Sequence, residues 1–130
     1  MYLIDTNIII YHLANQAPAT HFLQQHRGQL AISTITMIEV LSYDFDSEQR
    51  KIVEKFLKEH FIWLELSHEI AFKTADIRQI KINGKIKKIK TPDAIIAASA
   101  IFHSCQLVTA NEKDFSHLPI KIINPMSINL

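Results

Sequence analysis

Apolar residues along this chain come in two rhythms. Short runs of three or four are each closed by a polar residue, and they alternate with longer stretches in which apolar positions recur every three or four residues. The first rhythm is that of buried strands, the second that of amphipathic helices. Tyr2-Leu3-Ile4 reads as a strand ending at Asp5. The Asp5-Thr6-Asn7 cluster then caps a helix to Ala14. A second helix is predicted from Thr20 to Arg27, with Gly28 as its C-cap. Leu30-Ala31-Ile32 is a second strand, and Ser33 or Thr34 caps a helix running to about Tyr43.

After a break at Asp44–Asp46, Ser47 and Arg50 open a helix whose apolar positions are Ile52, Val53, Phe56 and Leu57. Phe61 to Leu66 is a third strand containing Trp63, and Ser67 caps a helix from His68 to about Ile80. Asn83-Gly84 marks a turn, followed by a basic loop from Lys85 to Lys90. Thr91-Pro92-Asp93 is a strong helix start: a cap, a proline at the first position and a carboxylate in the first turn. The helix it opens, through Phe102, is apolar nearly all round and belongs in a buried, central place. Leu107-Val108-Thr109 and Ile120–Ile123 are the fourth and fifth strands, with Asn111–Phe115 as a turn or single helical turn between them.

Strands alternating with helices imply parallel βαβ units in a three-layer α/β/α sandwich. Such sheets place their sites beyond the carboxyl ends of the strands, where strand order reverses. The length, 130 residues at 48% hydrophobic, suits one domain over residues 1–130 with a core that needs no staples. Cys105 is the single cysteine, which excludes an internal disulfide and a cysteine-based zinc site and fits a reducing cytoplasm. The N-terminal apolar stretch has no basic leader and is interrupted by Asp5 and Asn7, so neither signal peptide nor membrane span is expected. The net charge of +1 announces no polyanionic partner; local patches must carry any such case.

Four acids stand in telling places. Asp5 closes the first strand, Glu39 interrupts an apolar helix, Asp93 lies in the first turn of the most apolar helix, and Asp114 follows the fourth strand. Taken singly, Asp5 has a capping explanation, Asp93 a helix-dipole one and Asp114 a turn one. Glu39, among apolar neighbours, needs a partner. Converging carboxylates would raise one another's pKa values, a conflict that a hard divalent cation removes. Magnesium held by a few carboxylates can activate water against a phosphodiester.

These residues carry a family resemblance over nearly the full length. It rests on Leu3-Ile4-Asp5-Thr6-Asn7, on Ser33 to Val40, on Pro92-Asp93-Ala94-Ile95-Ile96-Ala97-Ala98-Ser99-Ala100, and on Leu107 to Phe115. The chain resembles the PIN-domain ribonucleases, and within them the VapC toxins of toxin–antitoxin pairs. The resemblance implies a five-stranded parallel sheet of order 3-2-1-4-5. It implies that Asp5, Glu39, Asp93 and Asp114 form the catalytic pocket for Mg2+ or Mn2+, with Thr6, Thr109 and Asn111 in support. The activity implied is endonucleolytic cleavage of RNA by metal-activated water, in a homodimer silenced by a cognate antitoxin. Many relatives have glycine or leucine before the Pro-Asp, where this chain has Lys90-Thr91. That departure bears on the substrate lip and leaves the metal ligands in place.

Lys81, Lys85, Lys87, Lys88 and Lys90 crowd the approach to Asp93, and all but Lys81 are candidate substrate-binding residues. No aromatic residue interleaves them, so no stacking platform is indicated. The seven histidines lack zinc-ligand spacing; His12 and His117 are the two that could approach the groove. Surplus apolar surface at Phe22, Phe45 or Phe56 would suit an antitoxin helix or a second subunit. The alternative to an active nuclease is a PIN-like RNA-binding or assembly module. A haloacid-type phosphatase would want a second Asp where Asn7 stands. A receiver domain would want paired acids where Asp5 stands alone.

Overall fold

The computed structural model describes residues 1–127. Five parallel strands form one sheet: β1 (Tyr2–Ile4), β2 (Leu30–Ser33), β3 (Ile62–Leu64), β6 (Gln106–Val108) and β7 (Ile122–Ile123), in the order β3-β2-β1-β6-β7. Two further strands, β4 (Lys81–Ile82) and β5 (Lys85–Ile86), pair only with each other. Leaving that hairpin aside, the order is the expected 3-2-1-4-5. The chain builds outward from β1 on one side, then returns across it to β6, so the switch point lies between β1 and β6.

Alternation along the strands separates two cores. Leu3, Ala31, Leu64 and Leu107 face α5 (His68–Arg78), α6 (Thr91–Phe102) and Phe115 of α7 (Glu112–Phe115). Ile4, Leu30, Ile32 and Val108 face α1 (Thr6–Leu13), α2 (Ala17–Gln25) and α4 (Ser47–His60). Helix α3 (Thr34–Leu41) reaches both sides, through Ile35 and Val40. The apolar helix is indeed central: Ala94 through Ala100 are all buried. Among the described residues, no helix is long and apolar enough to cross a membrane.

Local chemistry sets most helix starts. Asp5 caps α1, Ser33 caps α3, Ser67 caps α5, and Asp46 forms a reciprocal capping box with Gln49 at α4.

Several expectations shift. Helix α2 starts at Ala17 rather than Thr20, because Pro18 sits in a first turn that does not need its missing N–H. It ends at Gln25, and Gly28, at φ +86°, shapes the following turn instead of capping the helix. Thr91 is the first helical residue of α6 and not its cap; Lys90 holds the cap position without a side-chain bond. The third and fifth strands are shorter than expected, three and two residues, and the fourth is shifted one residue toward the N-terminus, with Thr109 just beyond its end. The basic loop is half hairpin: Asn83 (φ 55°) and Gly84 (φ 78°) form a left-handed two-residue turn between β4 and β5. Phe22 is buried and Phe45 and Phe56 half-buried, whereas Phe72, 76% exposed, is the most open aromatic among the described residues.

Ile96, 1% exposed in the core between sheet and α5, should tolerate truncation poorly. Ile96→Ala is expected to lower unfolding free energy by roughly 2–5 kcal/mol in denaturant titration. A loss below about 1 kcal/mol would show that this core is not close-packed.

Candidate functional site

The site grows from the carboxyl end of β1. Asp5 follows the last β1 residue and is 3% exposed, so its carboxylate needs hydrogen bonds in place of water. One oxygen accepts from the Thr6 backbone N–H at 2.7 Å. The other accepts from the Thr109 hydroxyl at 2.7 Å and the Asn7 amide at 3.2 Å. Thr109 is available because β6 pairs with β1 in register, Ile4 opposite Val108, so both strands end together. Its hydroxyl in turn accepts from the Asn111 backbone N–H at 3.0 Å, and the Asn7 side-chain carbonyl accepts from the Ala110 N–H at 3.2 Å. The ends of the two central strands are thereby stitched together by side chains.

The Thr6 hydroxyl points the other way. It donates to Glu39 Oε1 at 2.7 Å, with the Thr36 hydroxyl 3.1 Å from it. The lone acid of the apolar α3 helix thus finds its partner on α1. Asp93, in the first turn of α6, is partly buried between the others. Asp114, on α7, is exposed.

The convergence has an electrostatic consequence. Burial and then the charges of Asp5, Asp114 and Glu39 push the Asp93 carboxyl from its ordinary value near 3.8 up to about 6, against a smaller opposing pull from Lys90. Asp5 is also raised, chiefly by burial, although the Thr109 and Thr6 hydrogen bonds resist the shift. A carboxylate in a helix's first turn gains about 0.3–2 kcal/mol from the dipole, depending on its exposure. The net upward shift shows that at Asp93 desolvation and repulsion exceed that gain.

Two clefts meet at Asp93. One, of about 330 Å³, is lined by Asp5, Thr6, Asn7, Tyr11, Glu39, Tyr43 and Asn111 among others. The second, of about 510 Å³, runs from Asp93 and Asp114 to Arg78, Ile86, Lys88, Ile89 and Lys90. Among the described residues, no group of three or more His, Cys, Asp or Glu side chains is arranged to hold a metal ion. The all-oxygen donor set and mutual repulsion at Asp93 instead fit a hard cation that takes one or two carboxylates and keeps its waters.

Of the residues expected from sequence, Asp5, Glu39, Asp93, Thr6 and Asn111 gather at the first cleft, with Thr109 buried behind Asp5. Asp114 joins Asp93 in the second. Lys88 and Lys90 line that second cleft, whereas Lys85 and Lys87 do not. His12 is in neither: it bonds Thr20 at 2.7 Å and stacks on Phe56 in a separate cleft between α1, α2 and α4. His117 also lines neither cleft. Sequence reading missed Asn7, whose i,i+2 spacing from Asp5 was its one signal. It also missed Thr36 and Arg78, which only tertiary packing brings to the site.

A family model for the PIN domain matches residues 2–121. The chain belongs to the PIN-domain family. It is 32% identical over 125 residues to Ribonuclease VapC1 of Rickettsia felis, covering 89% of each chain. It is 28% identical over 132 residues to Ribonuclease VapC2 of the same organism, covering 95% of this chain and 96% of the relative. Among solved structures, a chain of a toxin–antitoxin complex from Klebsiella pneumoniae superposes with a TM-score of 0.84 at 34% identity, covering 98% of this chain and all of that one.

The raised Asp93 pKa has a signed consequence for this PIN domain. A carboxyl whose folded pKa exceeds its unfolded value favours folding while protonated. That contribution is lost as pH rises from about 4 through about 6. Without divalent metal, Asp93→Asn should therefore be more stable than the parent at pH 8, by on the order of 1 kcal/mol after discounting for solvent screening. The advantage should vanish at pH 4. Melting curves of both proteins across that range, in EDTA, test it. Parallel pH profiles would show that Asp93 carries no strain.

Proposed function

We propose that this PIN domain is a divalent-metal-dependent endoribonuclease, the toxin half of a VapBC-type toxin–antitoxin pair, acting in the cytoplasm. The observation that carries the reading is the convergence of Asp5, Glu39, Asp93 and Asp114 at the β1/β6 switch point, with Asp93 charge-strained at the junction of the two clefts. Asp93 and Asp5 would hold Mg2+ or Mn2+, with Glu39 and Asp114 beside them. Bound there, the ion would supply an activated water and screen the charge developing on a scissile phosphate.

The protein's own residues do the rest. Thr109 and Asn7 hold the Asp5 carboxylate in one orientation, and Thr6 does the same for Glu39. Glu39, whose second oxygen has no hydrogen-bond partner among the described residues, can orient a water toward the reacting phosphate. The named relatives are ribonucleases, and the Klebsiella structure is a toxin–antitoxin complex; both support the substrate class and an antitoxin partner. Exposed Phe72, Ile52, Ile38 and Tyr43 offer apolar surface for that antitoxin or for a second copy in a homodimer.

Purified protein should cut RNA at discrete positions in Mg2+ or Mn2+, stop in EDTA, and lose at least about 100-fold in rate as Asp93→Asn. Cutting that survives both treatments would sink the proposal. RNA binding without cutting, with metal uptake intact, would make the chain a PIN-like RNA-binding or assembly module. Thr109→Val leaves Asp5 short of its strongest side-chain donor. It should cost about 10–100-fold in rate or metal affinity, read by metal titration of the cleavage rate. An unchanged titration would mean that Thr109 serves only the fold.

A further inference from the structure

The β4–β5 hairpin and the strap that follows it are the least explained part of the molecule. From Arg78 to Pro92 there are six basic residues and no acid. None of the six is in a salt bridge among the described residues. Yet the segment is well anchored. The Lys87 N–H donates to the Ile80 carbonyl at 2.9 Å, prolonging the hairpin ladder. Ile89 is buried in the core, and Arg78 Nε donates to its carbonyl at 3.2 Å. Unpaired cations on an anchored segment keep their charge for something outside the chain.

The hairpin also sorts its charges. Ile86, Lys88 and Lys90 line the cleft that ends on Asp93 and Asp114, together with Ile89 and with Arg78 on its wall. Lys85 and Lys87 do not line it, and Lys87 lies within coulombic reach of His117. Two residues of extended chain span about 6.6 Å, comparable with the step between phosphates of a stretched single strand. Ile86, 53% exposed, puts an apolar surface beside these cations.

We infer that this second cleft is a binding subsite for single-stranded RNA on one side of the scissile bond: Lys88, Lys90 and Arg78 hold consecutive backbone phosphates, and a base lies on Ile86. The inference rests on the proposed nuclease reading and adds to it a side of entry and a division of the lysines. A strand whose reacting phosphate sits at Asp93 must continue into a neighbouring cleft, and this is the basic one. An acidic peptide shares the charge requirement, but it would have no need of a cleft that opens directly onto two carboxylates. With no aromatic residue among the lining side chains, the subsite grips backbone with little base preference.

The test compares two double variants of the full chain at surface positions, Lys88→Gln/Lys90→Gln and Lys85→Gln/Lys87→Gln. Both have the same net charge, and circular dichroism checks their folding. Binding of a fluorescent 12-nucleotide single-stranded RNA is followed by anisotropy in EDTA across salt concentrations. This separates it from metal-dependent cleavage. The first double should bind at least about 10-fold more weakly, with the slope of log K against log salt reduced by about 1.4, two phosphate contacts at about 0.7 each. The second should stay within about 3-fold of the parent with a slope change below about 0.5. Lys88→Gln alone, which does not adjoin Asp93, should lose about half the slope change. Equal losses in the two doubles would reduce the cleft to general surface charge and overturn the subsite, while parental cleavage would leave the nuclease reading standing. Binding of a Glu-rich peptide that depends on Lys88 and Lys90, with no RNA binding by the parent, would assign the cleft to a protein partner and overturn it too.

Discussion

A buried carboxylate at the end of the central strand is the constraint on which the rest depends. Leaving an ionised group in a dry site without partners costs several kcal/mol, more than a domain of this size can spare. Asp5 is held by donors that exist only if β1 and β6 are neighbours in register and α1 starts at once: Thr109, Asn7 and the Thr6 N–H. Fold and site are therefore one solution. The pairing that buries Leu3 and Ile4 on opposite faces also delivers the hydroxyl of Thr109 to Asp5. The same start of α1 turns Thr6 toward Glu39.

The acids are not equivalent, and magnitudes decide their roles. Asp5 is buried more deeply than Asp93, yet its strong hydrogen bonds oppose the cost of ionisation. Asp93 has no comparable donors and faces three like charges, so it absorbs the conflict. Lys90 relieves it only in part, because an ammonium on the exposed strap is screened by water. A group strained in this way is the one most changed by a cation, and it stands where both clefts open.

What was legible in the sequence followed from signals that survive locally. The strands were visible as apolar runs, the helices as periodic stripes with caps, and the central helix as an unbroken apolar stretch from Ala94 to Ile96 and beyond. The acids were legible jointly, through their places at strand ends and helix starts together with the family resemblance. The β4–β5 hairpin was not, because two-residue strands are too short to show a period, and Asn83-Gly84 announces a turn without saying what it joins. The start of α2 was misplaced because Pro18 looks like a breaker but is harmless in a first turn. Arg78 and Thr36 reach the site from helices whose packing angles no local pattern encodes. Phe22 lies on the buried stripe of its helix with Ala19 and Leu23, whereas Phe72 falls off the stripe of Ile70, Thr74 and Ile77 and is open.

The architecture also separates chemistry from recognition. The acids sit at the end of β1 and on α3, α6 and α7, elements that carry the two cores, so their positions cannot drift without disturbing the packing. The hairpin pairs with no strand of the main sheet, and an added Cβ at Gly84 of its turn would meet no neighbour. It is tied down at Ile89 and Arg78, close to Asp93, while its tip is free of the core. Changes of length or charge there would leave the acid pocket's geometry intact while altering what approaches it. Loops and hairpins beside a rigid scaffold are where binding preferences can change at little cost to stability. The Lys90-Thr91 pair at the foot of the strap falls at that boundary between a fixed acid pocket and an adjustable lip.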